Sequence, residues 1–322
     1  MLELVNLSNY STDLELIRNN ADNLSGFLQR NNLNGLEMMF CAPWNPAVHR
    51  KEWIHGVHLH FWPSWLDFWR GDRQELLRQY DTEQSIVSIY GGLLREDWLN
   101  RYRKNIQQAV EAEAKYVVFH VCHNRMSEIF DWKFGATDRE VTEAFIEVLS
   151  ELVDSIPAEM TILFENLWWP GLTLRDKGLL AMLLESVRHE NVGIMLDTGH
   201  LMNTNPALRS QEEGIEFVLR TLDGLGPYRE SIRGIHLHYS LSGNYMTTVR
   251  RKDWRELTLP EAFQHVMAID QHLPFDTPDV RRILDYVQPD WLVHEFVQKA
   301  SDDWESKVIR QRQALVAGGK RA

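Results

Sequence analysis

Apolar runs of strand length punctuate this chain, and they end alike. In order, VVFH closes on His120, ILFE on Glu165, GIMLD on Asp197, GIH on His236 and WLVHE on Glu295, while GVHLHF carries His58 and His60. A run that is apolar at every position is buried on both faces, as in a parallel sheet. A ligand-type residue at its last position therefore faces the mouth where the strand ends. The strands predicted in this way are Glu3–Leu7, Gly35–Phe40, Gly56–Phe61, Tyr116–Val121, Met160–Glu165, Val192–Asp197, Gly234–His238 and Trp291–Glu295. Eight parallel strands close a barrel. Between them the pattern shifts to helical spacing over Asp13–Arg30, Glu96–Ala112, Lys177–Val187 and Glu213–Leu222. Thr137 and Glu140 form a capping box ahead of the stripe Val141, Phe145, Val148, Leu149 and Leu152, and Thr277-Pro278-Asp279 opens another helix. The last residues, AGGKRA, read as a frayed tail. The pattern predicts an α/β chain folded as a single (β/α)8 barrel domain over residues 1–322.

Two connections exceed what a barrel needs, at about residues 62–90 and 239–270, carrying WPSWLDFWRGD and YMTTVRRKDW. Both leave the carboxyl end of a strand, where barrels place substrate loops, and both are expected to act as lids. A length of 322 residues with 44% hydrophobic content suits one large core. The formal charge of −12 comes from acids spread along the chain. Such a surface repels phosphate backbones, which disfavours nucleic acid as a partner. The start, MLELVNLSNYS, has no basic segment leading into a long apolar stretch, and no run approaches a bilayer span, so a cytoplasmic protein without a membrane partner is expected. Cys41 and Cys122 both close apolar runs and are expected to be reduced and buried.

The strand ends assemble the chemistry. Divalent zinc or manganese takes imidazole nitrogen and carboxylate oxygen, three or four at a time, from separate elements. Glu165, Asp197, His236 and Glu295, one from each of the last four strands, are the expected ligands of a central ion. In LDTGH, His200 follows Asp197 by three residues, with Gly199 expected to permit the turn that returns the imidazole to the mouth. Asp270 and His272 alternate, which would place both side chains on one side of an extended segment. His120 and either His58 or His60 complete the ring from the other half; the two share a strand face, and His58 is preferred for its depth. His238, His123 and His294 read as structural or supporting. Strand-end acids that merely cap the next helix are the competing explanation of Glu165 and Asp197, but buried carboxylates at aligned ends need cations.

FEN at 164–166, LDTGH at 196–200, IHLH at 235–238, DQH at 270–272 and HEF at 294–296 resemble the xylose-isomerase-like TIM barrel superfamily. Each motif is short, and their order over most of the chain makes the set specific. The resemblance implies one of two activities. In sugar and sugar-phosphate isomerases and epimerases, Glu165, Asp197, His236 and Glu295 would hold one divalent ion, and Glu165 and Glu295 would pass a proton from opposite faces of the substrate. In the endonuclease IV branch there would be three zinc ions. His58 or His60, His120 and Glu165 would hold the first, the central four the second, and His200, Asp270 and His272 the third, for hydrolysis of a phosphodiester. The first expectation is the isomerase or epimerase, acting on a small carbohydrate or phosphorylated small molecule with one to three ions. The alternatives are the multi-zinc phosphoester hydrolase and a non-catalytic metabolite-binding barrel.

Aromatic and basic residues after the strand ends are candidates for substrate contact. Trp62, Trp65 and Trp168 could stack on a sugar face, or equally pack a lid onto the rim. Arg70 could grip a phosphate, as could Arg73, Arg125 or Arg250-Arg251-Lys252.

Overall fold

The computed structural model describes residues 1–250 and 252–319. Its eight strands are β1 (Leu2–Ser8), β2 (Gly35–Met39), β3 (Ile54–His58), β4 (Tyr116–His120), β5 (Thr161–Glu165), β6 (Val192–Asp197), β7 (Ile232–Leu237) and β8 (Trp291–His294). They pair in chain order, and β1 closes on β8 through Leu2 and Trp291. Every pairing is parallel, so each return needs a crossover and the helices form the outer layer. This is the predicted (β/α)8 TIM barrel. Inside it, Leu4, Tyr116, Val118, Leu163, Met195, Trp291 and Val293 fill the lower layer. That apolar plug leaves the carboxyl ends of the strands as the place where polar groups gather.

Register lines up those ends. His120 pairs with Glu165, and Asp197 with His236, so ligand-type residues of neighbouring strands stand at one height. The run expected to continue to Phe61 stops as a strand at His58. Beyond it the His60 N–H donates to Oδ1 of Asn105, and the His60 side chain is exposed beside Trp62.

Several helices differ from expectation. The stretch Asp13–Arg30 divides into Ser11–Leu16 and Ala21–Arg30. Arg18 and Asn19 lie at φ 52° and 46°, and Asn20 caps the second helix by accepting from the Asp22 and Asn23 amides. The two long connections are themselves helical, as Leu66–Arg70, Arg73–Tyr80 and Glu83–Tyr90 after β3 and Gly243–Thr248 and Leu259–Ile269 after β7. The frayed tail is overturned in part: a helix runs Ser301–Gly319, while residues 320–322 lie outside the described residues. It docks because Trp304 stacks on Phe27 at 3.8 Å, and buried Gln311 donates to the Leu237 carbonyl at 2.8 Å. Cys122 is buried as expected, but Cys41 is exposed, since the chain turns outward after β2. No described helix is long and apolar enough to cross a membrane.

Candidate metal centre

Three groups of side chains meet at the carboxyl ends of the strands, the ligand atoms of each lying within 4.8 Å of one another. His58, His120 and Glu165 form one. Glu165, Asp197, His236 and Glu295 form the second, and His200, His238, Asp270 and His272 the third. Glu165 belongs to two of them: its Oε2 lies 3.1 Å from Nε2 of both His58 and His120, while Oε1 lies 3.3 Å from Nδ1 of His236 and 3.2 Å from Nδ1 of His200. Glu295 closes the central group from the end of β8, with Oε2 at 3.1 Å from Nδ1 of His236.

Local structure orients the imidazoles. Nδ1 of His58 is 3.0 Å from the Leu59 carbonyl, Nδ1 of His200 is 3.0 Å from the Asn166 carbonyl, and Nδ1 of His272 is 3.1 Å from the Asp270 carbonyl. A carbonyl only accepts, so each Nδ1 donates there; Nε2 of His58 faces Glu165 and Nε2 of His200 faces Asp270, and these are the ring nitrogens that would turn to a cation on losing their protons. Asn166 ties two motifs together: its Nδ2 donates to the Asp197 carbonyl and its Oδ1 accepts from the Asp197 amide. Asp197 is both helix cap and site residue. Oδ1 accepts from the His200 amide at 2.6 Å, opening the helix Thr198–Asn203, while Oδ2 accepts from Nε2 of His238 at 2.8 Å.

Two local geometries differ from the sequence reading. Gly199 does not occupy the left-handed region; it is needed for space, because a Cβ there would stand 2.1 Å from Cε1 of His238. Asp270 and His272 do not alternate along an extended segment. Asp270 ends the helix Leu259–Ile269 and His272 turns at φ 46°, so a bend brings the pair together.

The acids and imidazoles of the centre hold one another charged. Burial pushes the Glu165 and Glu295 carboxyls up, yet the surrounding imidazoles, His120 and His236 foremost for Glu165 and His236 for Glu295, hold both well below the ordinary carboxylate range. Burial likewise opposes charge on His236, and Glu295 and Glu37 overcome it. Even so, Oε1 of Glu165, Oε2 of Glu295, Oδ1 of Asp270 and Nδ1 of His120, His236 and His238 have no hydrogen-bond partner among the described residues. Buried polar atoms left this way cost about 1–3 kcal/mol each, and converging lone pairs of oxygen and nitrogen are what a divalent ion satisfies. The donor set, imidazole and carboxylate without thiolate, fits zinc or manganese.

Three side chains extend the sequence reading. His238, expected to be supporting, joins the third group while also holding Asp197; its alternation with His236 in IHLH was the available signal. Glu37 and Tyr116 were not singled out. Glu37 lies 2.8 Å from Nε2 of His236, and an acid inside the apolar run GLEMMF was the trace it left.

The expected substrate contacts sort differently. Trp62 packs against Trp98 and Tyr102, and Trp65 donates from its indole to the Cys122 carbonyl, so both are committed to the core. Arg70 is paired with Glu140 on the helix Asp138–Leu152, and Arg125 holds the buried Asp67. Trp168 stands 5.2 Å from the His200 ring. Arg251 lies outside the described residues.

The fold and this centre place the chain among known proteins. Among curated proteins none matches the sequence. By structure, the chain is similar to endonuclease IV from Thermus thermophilus, with 14% identity, 100% of both chains covered and a TM-score of 0.54. It is similar also to a D-tagatose 3-epimerase-like protein, with 17% identity, 100% of this chain and 99% of that chain covered, and a TM-score of 0.53. An IOLI protein with a binding zinc atom gives 12% identity, the same coverage and a TM-score of 0.53. The family model for the xylose isomerase-like TIM barrel matches residues 31–315, and the chain belongs to that family.

Proposed function

We propose that this protein is a hydrolase of small phosphoesters that works with three divalent ions, zinc being the best match to the donor set. One observation carries the reading: Glu165 joins two complete ligand groups, and a third adjoins them through His200. A single-ion isomerase needs only Glu165, Asp197, His236 and Glu295, and leaves His58, His120, His200, Asp270 and His272 without a task.

His58, His120 and Glu165 would hold one ion, Glu165, Asp197, His236 and Glu295 a second, and His200, Asp270 and His272 the third, with His238 beside them. Such ions polarise phosphoryl oxygen and make water a better nucleophile at neutral pH. His120, His272 and Glu295 are the members that remain partly accessible, the others being buried. Among the carboxylates of the three groups, Glu295 is therefore the one nearest to an incoming substrate or water. Asn166 and Glu37 keep their neighbours in position.

Substrate size follows from access and charge. Most of the site is closed to solvent, and several basic side chains near the long connections are engaged: Arg73 with Glu83, Arg125 with Asp67, Lys252 with Glu261 and Arg255 with Asp253. With a net charge of −12, this supports a small phosphoester over a nucleic acid duplex. A second reading, the sugar isomerase or epimerase, is favoured by the pair Glu165 and Glu295, both within 3.3 Å of Nδ1 of His236 and so flanking one position.

The test uses zinc-loaded protein with bis(p-nitrophenyl) phosphate, an abasic-site duplex and a panel of ketoses. The expected result is cleavage of the diester, abolished by chelator and reduced about a hundredfold or more by Glu165→Gln. Solvent proton exchange into a ketose without phosphoester cleavage would replace the hydrolase with the isomerase.

A further inference from the structure

Strand β8 stops one residue short of its acid. The ladder between β1 and β8 runs from Leu2 with Trp291 to Val5 with His294, and Glu295 and Phe296 lie beyond it. A ladder no longer fixes the backbone there, yet Glu295 keeps Oε2 at 3.1 Å from Nδ1 of His236.

Asn6 takes over where the ladder ends. It follows Val5 in β1, and continuing the register puts it at the height of Glu295. Its Oδ1 accepts from the Phe296 amide at 3.1 Å, and its Nδ2 donates to the Phe296 carbonyl at 3.1 Å. One side chain thus grips both polar groups of the residue next to Glu295, as a neighbouring strand would. Phe296 is buried, so its backbone groups need partners within the protein. Gln298 steadies the amide in turn, with Nε2 donating to Oδ1 at 3.1 Å. Oxygen therefore faces two N–H groups and nitrogen a carbonyl, which fixes the orientation of the amide.

The same device occurs elsewhere on the rim. Asn166, after β5, grips both backbone groups of Asp197 at the end of β6. Each asparagine joins two adjacent strand ends, β5 to β6 and β1 to β8, at or beside an acid of the central group. Exposure separates the two acids: Asp197 is buried, whereas Glu295 is partly accessible and sits outside the sheet. An acid so placed depends most on a clamp for a single position.

We propose that Asn6 is a positioning residue for Glu295, acting through the Phe296 backbone to aim the carboxylate at His236 before an ion arrives. This rests on the reading of Glu295 as a ligand of the central ion, and on no particular reaction.

The experiment is a double-mutant cycle in zinc affinity, read by competition with a chromophoric chelator. It uses the full chain carrying His58→Ala and Asp270→Ala, whose one intact group is Glu165, Asp197, His236 and Glu295. Asn6→Leu keeps the size of the side chain and removes both bonds to Phe296. It is expected to weaken zinc binding about tenfold, within the range for residues that orient a ligand. With Glu295→Gln also present, the same substitution is expected to change affinity by less than about twofold, since the group it positions is gone. Unchanged affinity in Asn6→Leu would overturn the proposal, as would an equal loss with and without Glu295. If Asn6→Leu fails to fold, Asn6→Ala is put through the same comparison and decides. No zinc binding with Asn6 intact would overturn the ligand reading and the proposal together, whereas a completed cycle in a protein that cleaves no phosphoester would sink the hydrolase alone.

Discussion

The Glu37 carboxylate and the His236 imidazole meet inside the barrel, with Oε1 lying 2.8 Å from Nε2 and both side chains essentially inaccessible. The other oxygen of Glu37 accepts from the Tyr116 hydroxyl at 2.7 Å. This places an acid behind the imidazole whose Nδ1 faces Glu165 and Glu295. A carboxylate beside a metal-binding histidine raises its basicity, here through the Glu37 charge, an effect typically worth about tenfold to a hundredfold in metal affinity. Glu37→Gln is therefore expected to weaken zinc binding at the group of Glu165, Asp197, His236 and Glu295 by about that factor, with Tyr116→Phe doing less. Competition against a chromophoric chelator measures both, and unchanged affinity in Glu37→Gln would remove Glu37 from the site.

Counting ions separates the groups. Wild-type protein purified without chelator is expected to carry three zinc ions per chain, from the three ligand groups. Asp270→Ala is expected to lower the count to two, because it strips only the group of His200, His238 and His272. Glu165→Ala touches two groups and should remove more. Elemental analysis of the three proteins supplies the comparison, and one ion in all of them would return the molecule to the single-metal scheme. Loss of bound zinc also lowers the unfolding temperature, since only the folded chain assembles the ligands.

A methyl group at Gly199 has nowhere to go. The added Cβ would sit 2.1 Å from Cε1 and 2.3 Å from Nδ1 of His238, a ring fixed by its hydrogen bond to Asp197. Gly199→Ala is expected to destabilise by about 1–3 kcal/mol, the usual cost of overpacking, and to loosen the third metal group with it. Denaturant unfolding and zinc content should change together; a stable variant with full zinc would show that His238 is free to move.

Asp67 gives a pH-dependent contribution outside the three candidate ligand groups. Burial pushes its carboxyl up, but two hydrogen bonds from Arg125, at 2.6 and 2.8 Å, and one from Gln79 hold it below the ordinary value of 3.8. A depressed folded pKa contributes stability that is fully present above 3.8 and is lost as pH falls through the folded value. Asp67→Asn is expected to cost about 2 kcal/mol near neutral pH, because it removes a charged partner from two hydrogen bonds. The difference in melting temperature between wild type and variant should stay constant from about pH 7 to about pH 5 and shrink below about pH 4. A gap that does not narrow in acid would mean that the pair is not what anchors the helix Leu66–Arg70.

The barrel and the heights of its central acids and imidazoles are written in the apolar pattern alone. Continuous apolar runs read as strands covered on both faces, and their period puts Glu165, Asp197 and His236 at strand ends before any contact is known. Register then stacks His120 beside Glu165 and Asp197 beside His236. Other features emerge only when the chain closes on itself. His58 and His60 share a face in an extended chain, and the choice between them rests on where β3 ends, which pairing with β4 dictates. Glu37 reads as an odd acid in an apolar run until closure of the barrel brings β2 across from β7. Trp62 and Trp168 look alike in the sequence, yet one fills the core behind a loop and the other lies against the His200 ring. The Ser301–Gly319 helix owes its place to Phe27, Leu237 and the buried Gln311. Short-range periodicity encodes which face a residue takes; which distant residue it then meets depends on chain closure, and that is a property of the whole fold.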